Sequence, residues 1–171
     1  LNVLGVANTA ATVTVNNQAT ARQGAYWHKE LAVTNTAQAV DQGVKVVGVR
    51  KNAGTNGLDV VTTETGHVFV AQTPEGYTHD DDGNLSTDGR FVYTWDAENR
   101  VIGVQSATNV GEQVKVEFAY DFQGRRYKRI GYQWSVPMEQ WFPVQTNLLF
   151  YDGWNVIAET IRNSQSTSTN L

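Results

Sequence analysis

Clustered carboxylates are the residues of this sequence that could most readily do chemistry. The run from Asp80 to Asn84 combines three aspartates with a glycine, and oxygen ligands around a turn glycine are typical of calcium loops. The EF-hand spacing fails because Thr78 stands where the first acidic ligand belongs and no glutamate closes the loop. An Asp-Gly hairpin turn is the favoured interpretation, as it is at Asp88 and Asp152.

Other catalytic arrangements are weak in this sequence. Asp96, Glu98 and Asp121 could form the paired carboxylates of a glycoside hydrolase, but their recurrence at one place in a repeated unit favours a role in turns. The three histidines are far apart, at His28, His67 and His79, with no carboxylate or cysteine at ligand spacing. No Gly-x-Ser-x-Gly motif is present. We therefore predict no catalytic residue, no metal site and no cofactor.

The amino-acid composition limits the kinds of partner that this protein is expected to bind. Of the 171 residues, 40% are hydrophobic and only 18% are charged, with a net charge of -4, and cysteine is absent. The few basic residues are scattered apart from a short cluster at 125–129, which reads as a solvated strand face, so we expect no nucleic-acid partner. No apolar run approaches the roughly 20 residues that a membrane helix needs, so we expect no membrane insertion.

Short β runs separated by polar turns fill residues 6–50. Val13 and Val15 alternate with Thr12 and Thr14, which predicts a strand with one buried face and hence part of a β-sandwich. The stretch resembles bacterial immunoglobulin-like modules in segments 13–18, 24–27 and 31–33. We therefore assign residues 1–52 to an immunoglobulin-like β segment.

A loop at 51–57 is rich in residues that tolerate positive φ, and it predicts a domain boundary there. Residues 60–63 and 67–70 read as two strands around a short hairpin loop at 64–66. The region 53–161 is then assigned to a second β-sheet, and 162–171 to a polar tail with nothing to bury.

A unit repeats in this second region, at 77–85, 93–101, 118–126 and, in shortened form, 150–157. In each copy an aromatic residue precedes an aspartate, and a glycine or asparagine follows. The aspartate can accept backbone hydrogen bonds in an Asx-turn, and the later glycine or asparagine accepts the left-handed conformation. Each unit therefore predicts a β-hairpin, whose structural residues are Tyr77, Asp80, Gly83, Tyr93, Trp95, Asp96, Asn99, Arg100, Tyr120, Asp121, Gly124, Arg125, Tyr151, Asp152, Gly153 and Trp154.

These units resemble the tyrosine–aspartate (YD) repeats of the rearrangement-hot-spot (Rhs) family. The resemblance covers residues 59–159, and segments 93–100 and 150–155 are its most characteristic parts. It implies a long β-sheet that curves into a hollow shell, which in the family often encloses a toxic segment released by an aspartyl autoprotease. Nothing in this sequence matches the autoprotease or a toxin.

The fold expected from these patterns is all-β: a short sandwich-like N-terminal segment followed by antiparallel hairpins in a curved sheet. The one place where a helical turn is expected is 136–140. The aromatic residues expected to be largely buried between neighbouring hairpins are Tyr93, Trp95, Phe118, Tyr120, Phe150 and Trp154.

The function predicted is that of a non-catalytic structural segment of a larger bacterial protein, secreted or at the cell surface as the family resemblance implies. Its partners are expected to be other copies or other parts of the parent chain, joined through the strand edges near 60–70 and 148–159. Exposed aromatic residues leave open a carbohydrate- or protein-binding surface as the alternative.

Overall fold

The computed structural model describes residues 1–164 and divides the chain into two compact units, Leu1–Thr73 and a second that begins at Pro74. All regular structure apart from one short 3-10 turn at Thr55–Gly57 is antiparallel β-strand, which confirms the predicted all-β class. None of the described residues forms a helix long and apolar enough to cross a bilayer.

The N-terminal unit contains two sheets. A three-stranded sheet has the order β1-β5-β4, and a four-stranded sheet has the order β3-β2-β6-β7. The strands are β1 (Asn2–Val6), β2 (Thr12–Val15), β3 (Gln18–Ala19), β4 (Ala21–Gln23), β5 (Tyr26–Glu30), β6 (Val40–Arg50) and β7 (Val60–Val70).

The facing sides of these two sheets form a core around Trp27. Val13 and Val15 are buried on β2, as their alternation with threonine predicts, and they pack with Trp27 and Leu31. The indole of Trp27 lies against Gly5, the residue paired with it on β1, so closely that a Cβ at this position would overlap the indole ring. Glycine at this position is therefore what lets the largest core side chain cross the neighbouring strand.

The predicted domain boundary at 52 and the hairpin at 64–66 are both wrong. β6 and β7 pair along their whole length, from Val40 with Val70 to Arg50 with Val60, so residues 51–59 are the connection of one long hairpin inside the N-terminal unit. Residues 60–70 form a single strand. The units divide between Thr73 and Pro74 instead.

The C-terminal unit is one eight-stranded antiparallel sheet, in which every strand pairs with its neighbours in sequence. Its strands are β8 (Thr78–His79), β9 (Leu85–Thr87), β10 (Phe91–Trp95), β11 (Val101–Ser106), β12 (Lys115–Tyr120), β13 (Arg126–Ser135), β14 (Gln140–Asp152) and β15 (Asn155–Asn163). Residues 136–139, expected to include a helical turn, are the loop of the β13–β14 hairpin.

This sheet is a single layer, and the prediction that its aromatic residues are largely buried is corrected accordingly. Within residues 74–164 only Gly131 is buried, because side chains are covered by lateral neighbours and not by a second sheet of the unit. The rings of Tyr93, Trp95, Phe118 and Tyr120 are half-buried. Two of the predicted core aromatics are exposed: Phe150 at 48% and Trp154 at 72%.

The strand edges also differ from expectation. β7 is the edge of the four-stranded sheet and not an end of the repeat sheet, whose outer strands are β8 and β15. The predicted polar tail from 162 begins too early, because β15 continues to Asn163 and the N–H of Ser164 still donates to the carbonyl of Val144 at 2.8 Å. Residues 165–171 of that predicted tail lie outside the described residues.

Replacing Gly5 with alanine tests the packing of Trp27. We expect Gly5→Ala to lower the free energy of unfolding of the N-terminal unit by about 1–3 kcal/mol, the usual cost of overpacking a core. Gly48→Ala is the matched control, since a Cβ at Gly48 meets nothing within 4 Å. Hydrogen exchange of the β1 and β5 amides measures the effect, and equal protection in the two variants would contradict this account.

Candidate functional site

Three hairpins of the C-terminal unit close with the same turn. In the turns 80–84, 96–100 and 121–125, Oδ1 of the aspartate accepts hydrogen bonds from the backbone N–H groups two and four residues later. The N–H three residues later donates to the aspartate's carbonyl. The residue that makes this last bond has positive φ, and it is Gly83, Asn99 or Gly124. The predicted Asx-turns at these three aspartates are therefore present, and we call them the aspartate turns.

The fourth residue after the aspartate closes each turn through its side chain. Nε of Arg100 donates to Oδ2 of Asp96 at 2.8 Å, and Nε of Arg125 donates to Oδ2 of Asp121 at 2.7 Å. In the first turn Asn84 takes this place, with Nδ2 at 3.1 Å from Oδ2 of Asp80. Both carboxylate oxygens of all three aspartates are thus engaged within their own turns.

These hydrogen bonds favour the charged carboxylates. The side chain of Arg100 lowers the pKa of Asp96, helped by the turn's N–H groups against a smaller opposing effect of burial. The N–H of Asn84 has the leading part in lowering the pKa of Asp80. Burial by itself would raise the pKa of Asp121, but the hydrogen bonds from Arg125 and Gln123 and the charge of Arg125 together lower it. A carboxylate held ionised in this way is a structural acceptor and a poor proton donor.

Each hairpin carries a β-bulge at the same place. The register shifts just before the residue that precedes the aspartate, which is His79, Trp95, Tyr120 or Tyr151. A bulge adds one residue to one strand and increases its local twist. In the first copy the residue at this position is therefore His79, and not the predicted Tyr77, which is 58% exposed.

The aromatic residue before the aspartate joins its hairpin to the preceding one. Nε1 of Trp95 donates to the carbonyl of Leu85 at 2.8 Å. The hydroxyl of Tyr120 donates to the carbonyl of Val101 at 2.9 Å, and that of Tyr151 to the carbonyl of Arg126 at 2.8 Å. Each acceptor is the fifth residue after the preceding aspartate. We call Trp95, Tyr120 and Tyr151 the aromatic ladder.

The arginines of the turns lie against this ladder. The guanidinium of Arg100 is 5.0 Å from the ring centre of Tyr120, and that of Arg125 is 5.0 Å from that of Tyr151. Arg125 also donates to the carbonyl of Gly153 in the next turn. One arginine therefore neutralises the aspartate of its own turn and contacts the hairpin that follows.

The fourth predicted copy departs from the pattern. Asp152 pairs with Asn155, so its hairpin closes with only two residues, and the Asx-turn seen in the other copies is absent. Gly153 has φ 57° in this turn, and Trp154 is exposed at its tip. Phe122, at the tip of the adjacent aspartate turn, is 93% exposed. Two large aromatic side chains thus project from neighbouring turns at one end of the sheet.

Tyr93, predicted as a repeat aromatic, has a different role from the ladder residues. Its hydroxyl donates at 2.7 Å to Oδ2 of Asp88, whose Oδ1 accepts from the N–H groups of Arg90 and Phe91. The hydrogen bond to Asp88 is the main reason that the pKa of Tyr93 is raised to about 12. Asp88 therefore closes the turn at the opposite end of the sheet, where the Asp-Gly sequence predicts one.

A polar cluster on one face of the sheet was not predicted. Glu117 accepts hydrogen bonds from the hydroxyl of Tyr132 and from Lys115, whose ammonium lies 2.9 Å from Oε1 and 4.7 Å from the Tyr132 ring centre. Burial and then the bond to Glu117 raise the pKa of Tyr132 to about 12. Strand alternation alone predicts that Lys115 and Glu117 lie on one face. That Tyr132 lies beside them depends on how β12 pairs with β13, which the sequence does not reveal.

Of the other candidate residues, the structure brings together Asp96 and Glu98, whereas Asp121 binds Arg125 in the next turn. Asp96 and Glu98 both bind the guanidinium of Arg100, each with a contact of 2.8 Å. His67 pairs with Asp41 at 2.9 Å on an exposed strand of the other unit. Residues 1–164 contain no group of three or more histidine, aspartate or glutamate side chains placed to hold a metal ion.

Removing the hydroxyl of Tyr120 tests the ladder. We expect Tyr120→Phe to lower the free energy of unfolding by about 1 kcal/mol, because the carbonyl of Val101 loses its donor while the ring remains. Tyr127→Phe is the matched control, since Tyr127 is 41% exposed and its hydroxyl bonds to nothing among the described residues. Urea unfolding followed by tryptophan fluorescence measures both variants. A Tyr120→Phe variant as stable as the control would contradict a structural role for the ladder.

The lowered pKa values of Asp96 and Asp121 predict how stability depends on pH. Because their folded pKa lies below the unfolded value of about 3.9, they stabilise the fold at neutral pH. This stabilisation is lost as the pH falls below about 5 and through the folded pKa. The Asp96→Asn, Asp121→Asn double variant should lose less stability between about pH 5 and pH 2 than the parent. Asp82→Asn, at an exposed turn position, should follow the parent, and identical pH profiles for both variants would contradict the prediction.

No protein-family model matches the chain. Among curated proteins, the tRNA3(Ser)-specific nuclease WapA of Bacillus spizizenii is 32% identical over 100 residues, which cover 56% of this chain and 4% of that protein. The chain thus spans a small part of the length of this relative. The similarity indicates a shared segment, and the nuclease activity in the name is that of the relative as a whole.

Proposed function

We propose that the C-terminal unit is a run of YD repeats of the Rhs type, and that the chain is a non-catalytic scaffolding segment of a larger secreted or cell-surface protein. The observation that carries the proposal is the aromatic ladder, in which each hairpin bonds the backbone of the one before it. A contact that is repeated from hairpin to hairpin extends a sheet, and a catalytic site needs no such repetition.

The chemistry of the repeated residues supports this assignment. The aspartates that recur in the sequence accept hydrogen bonds from their own turns, and their lowered pKa values suit them for structure and not for proton transfer. The arginines beside them are engaged by these aspartates and by the ladder. The functional groups that look most like a catalytic set are therefore those that hold the hairpins together.

The similarity to a nuclease is compatible with a scaffold. Because the matched segment covers 4% of that relative, most of the relative lies outside the similarity. We infer that the parent of this chain carries any catalytic activity in other regions. Among residues 1–164, β15 pairs only with β14. Its other edge, with the exposed residues Ile157 and Ile161, is the place where the sheet would meet another strand of the parent or of a second copy.

A second candidate function is a binding surface for carbohydrate or protein. The observation that favours it is the exposure of Phe122 and Trp154 on adjacent turns, which Arg125 joins through Asp121 and Gly153. Exposed aromatic residues on loops that a rigid framework holds in place are frequent in binding sites.

Experiments on the purified chain test both proposals. A scaffold should hydrolyse neither tRNA nor DNA, and Asp96→Ala should lower its unfolding midpoint because the turn loses its acceptor. Asp82→Ala, at an exposed position of the first turn, is the control and should leave the midpoint unchanged. Hydrolysis that Asp96→Ala abolishes without loss of stability would overturn the scaffold. Glycan or protein capture that Trp154→Ala abolishes at unchanged stability would favour the second candidate.

A further inference from the structure

The regularity of the aromatic ladder indicates one more acceptor, at the edge of β15. Each carbonyl that accepts a ladder bond belongs to the residue paired, within its own hairpin, with the residue just before the aspartate. These pairs are Leu85 with His79, Val101 with Trp95, and Arg126 with Tyr120. In the last hairpin Val156 holds the same place, because it pairs with Tyr151. The carbonyl of Val156 is therefore the next acceptor of the ladder, on a strand that pairs only with β14 among residues 1–164.

The first hairpin carries a donor at the corresponding place on β8. His79 directly precedes the aspartate, where the later hairpins have Trp95, Tyr120 and Tyr151. Its imidazole carries an N–H in either tautomer, and this group reaches about as far from the backbone as the indole N–H of a tryptophan. The side chain of His79 is exposed and has no hydrogen-bond partner among residues 1–164, where β8 pairs only with β9.

The edges of β8 and β15 have the polarity needed to pair with each other. The strands of the sheet follow one another in sequence order, so β8 runs toward the aspartate turns and β15 runs away from them. β8 of a second copy would therefore lie antiparallel to β15, as β10, β12 and β14 lie beside β9, β11 and β13.

The same register places an apolar contact beside the hydrogen bond. Between neighbouring hairpins, the residue two positions before the ladder aromatic lies opposite the residue just after the acceptor, as Phe118 lies opposite Ile102. At the two outer edges these positions are held by Tyr77 and Ile157. The sheet leaves both side chains exposed, at 58% and 66%.

We propose that two copies of this chain associate head to tail through these edges: the ring of His79 in one copy donates to the carbonyl of Val156 in the other, and Tyr77 packs on Ile157. This inference rests on the ladder as the scaffolding contact and extends it from neighbouring hairpins to neighbouring molecules. One chain carries both halves of the contact, so a second copy satisfies both edges. Because the contact is heterologous, it propagates unless it closes into a ring.

Sedimentation of the full chain over a range of concentrations tests the proposal, and we expect its weight-average mass to rise with concentration. His79→Phe keeps a ring but removes the donor, so it should weaken association about fivefold, the factor expected for one hydrogen bond. His79→Trp supplies the donor that Trp95 uses and should restore association. His28→Phe, at an exposed position of the other unit, is the matched control and should associate like the parent.

A parent chain that stays monomeric at millimolar concentration would overturn this inference. The scaffold proposal would stand in that case, because it is tested by the stability of Asp96→Ala and not by association.

Mixing two variants shows whether the contact is head to tail. His79→Asp removes the donor at one edge, and Ile157→Asp places a charge at the other. Both residues are exposed, and circular dichroism checks that both variants fold. Each variant alone should stay monomeric, whereas an equimolar mixture should form a dimer and nothing larger, since each copy keeps one working edge. If His79→Asp alone associated as tightly as the parent, the proposal would fail, because two β15 edges would then meet.

One pair of charges opposes the contact and tests its register. Continuing the pairing from Tyr77 and Ile157 brings Glu75 opposite Glu159, and like charges at opposed positions are destabilising. Glu75→Gln should therefore tighten association at low salt, and added salt should tighten association of the parent by screening the two carboxylates. Glu112→Gln, on an exposed loop, makes the same change of charge and should leave association unchanged. Equal effects of the two variants would contradict this register.

Discussion

The hydrogen bond from an aromatic side chain to the backbone of the preceding hairpin is the interaction on which the C-terminal sheet depends. Backbone pairing between β11 and β12 runs only over residues 103–106 and 114–117, and it stops before the end of the sheet that carries the aspartate turns. There the hydroxyl of Tyr120 reaches the carbonyl of Val101 and replaces the missing backbone donor. In a single layer with no second sheet to bury its side chains, such contacts between hairpins take the place of a core.

The aspartate turn and the bulge set the position from which that ring leaves the strand. The aspartate fixes the turn, the aromatic residue comes directly before it, and the bulge shifts the register at that same residue. The arginine four residues after the aspartate then lies under the ring of the next hairpin. A motif that is short in sequence thus links three neighbouring strands, and the length of the remaining strand can vary because the contacts are all near the turn.

Local features could be predicted from the sequence, and features that depend on pairing could not. The turns at Asp96 and Asp121 follow from an aspartate with asparagine or glycine three residues later, and Asp152 fails because its loop is shorter. The carbonyl that accepts the hydrogen bond from Tyr120 lies on the preceding hairpin. It can therefore be identified only when the pairing of the strands is known. The false boundary at 52 has the same origin, since a turn-rich loop looks alike whether it joins two domains or the two strands of one long hairpin.

The positions that the fold leaves free are where a binding function can be sought. The residue after the aspartate is Asp81 in the first turn, Ala97 in the second and Phe122 in the third, so the turn itself requires no particular side chain there. Phe122 is nonetheless a large apolar residue that is 93% exposed, beside the exposed Trp154. Neither ring is buried by the sheet, so neither contributes hydrophobic stabilisation to it. Neither side chain takes part in a hydrogen bond of its turn. Two exposed aromatic side chains on neighbouring turns form an apolar surface patch, and such patches are common at contacts with other molecules.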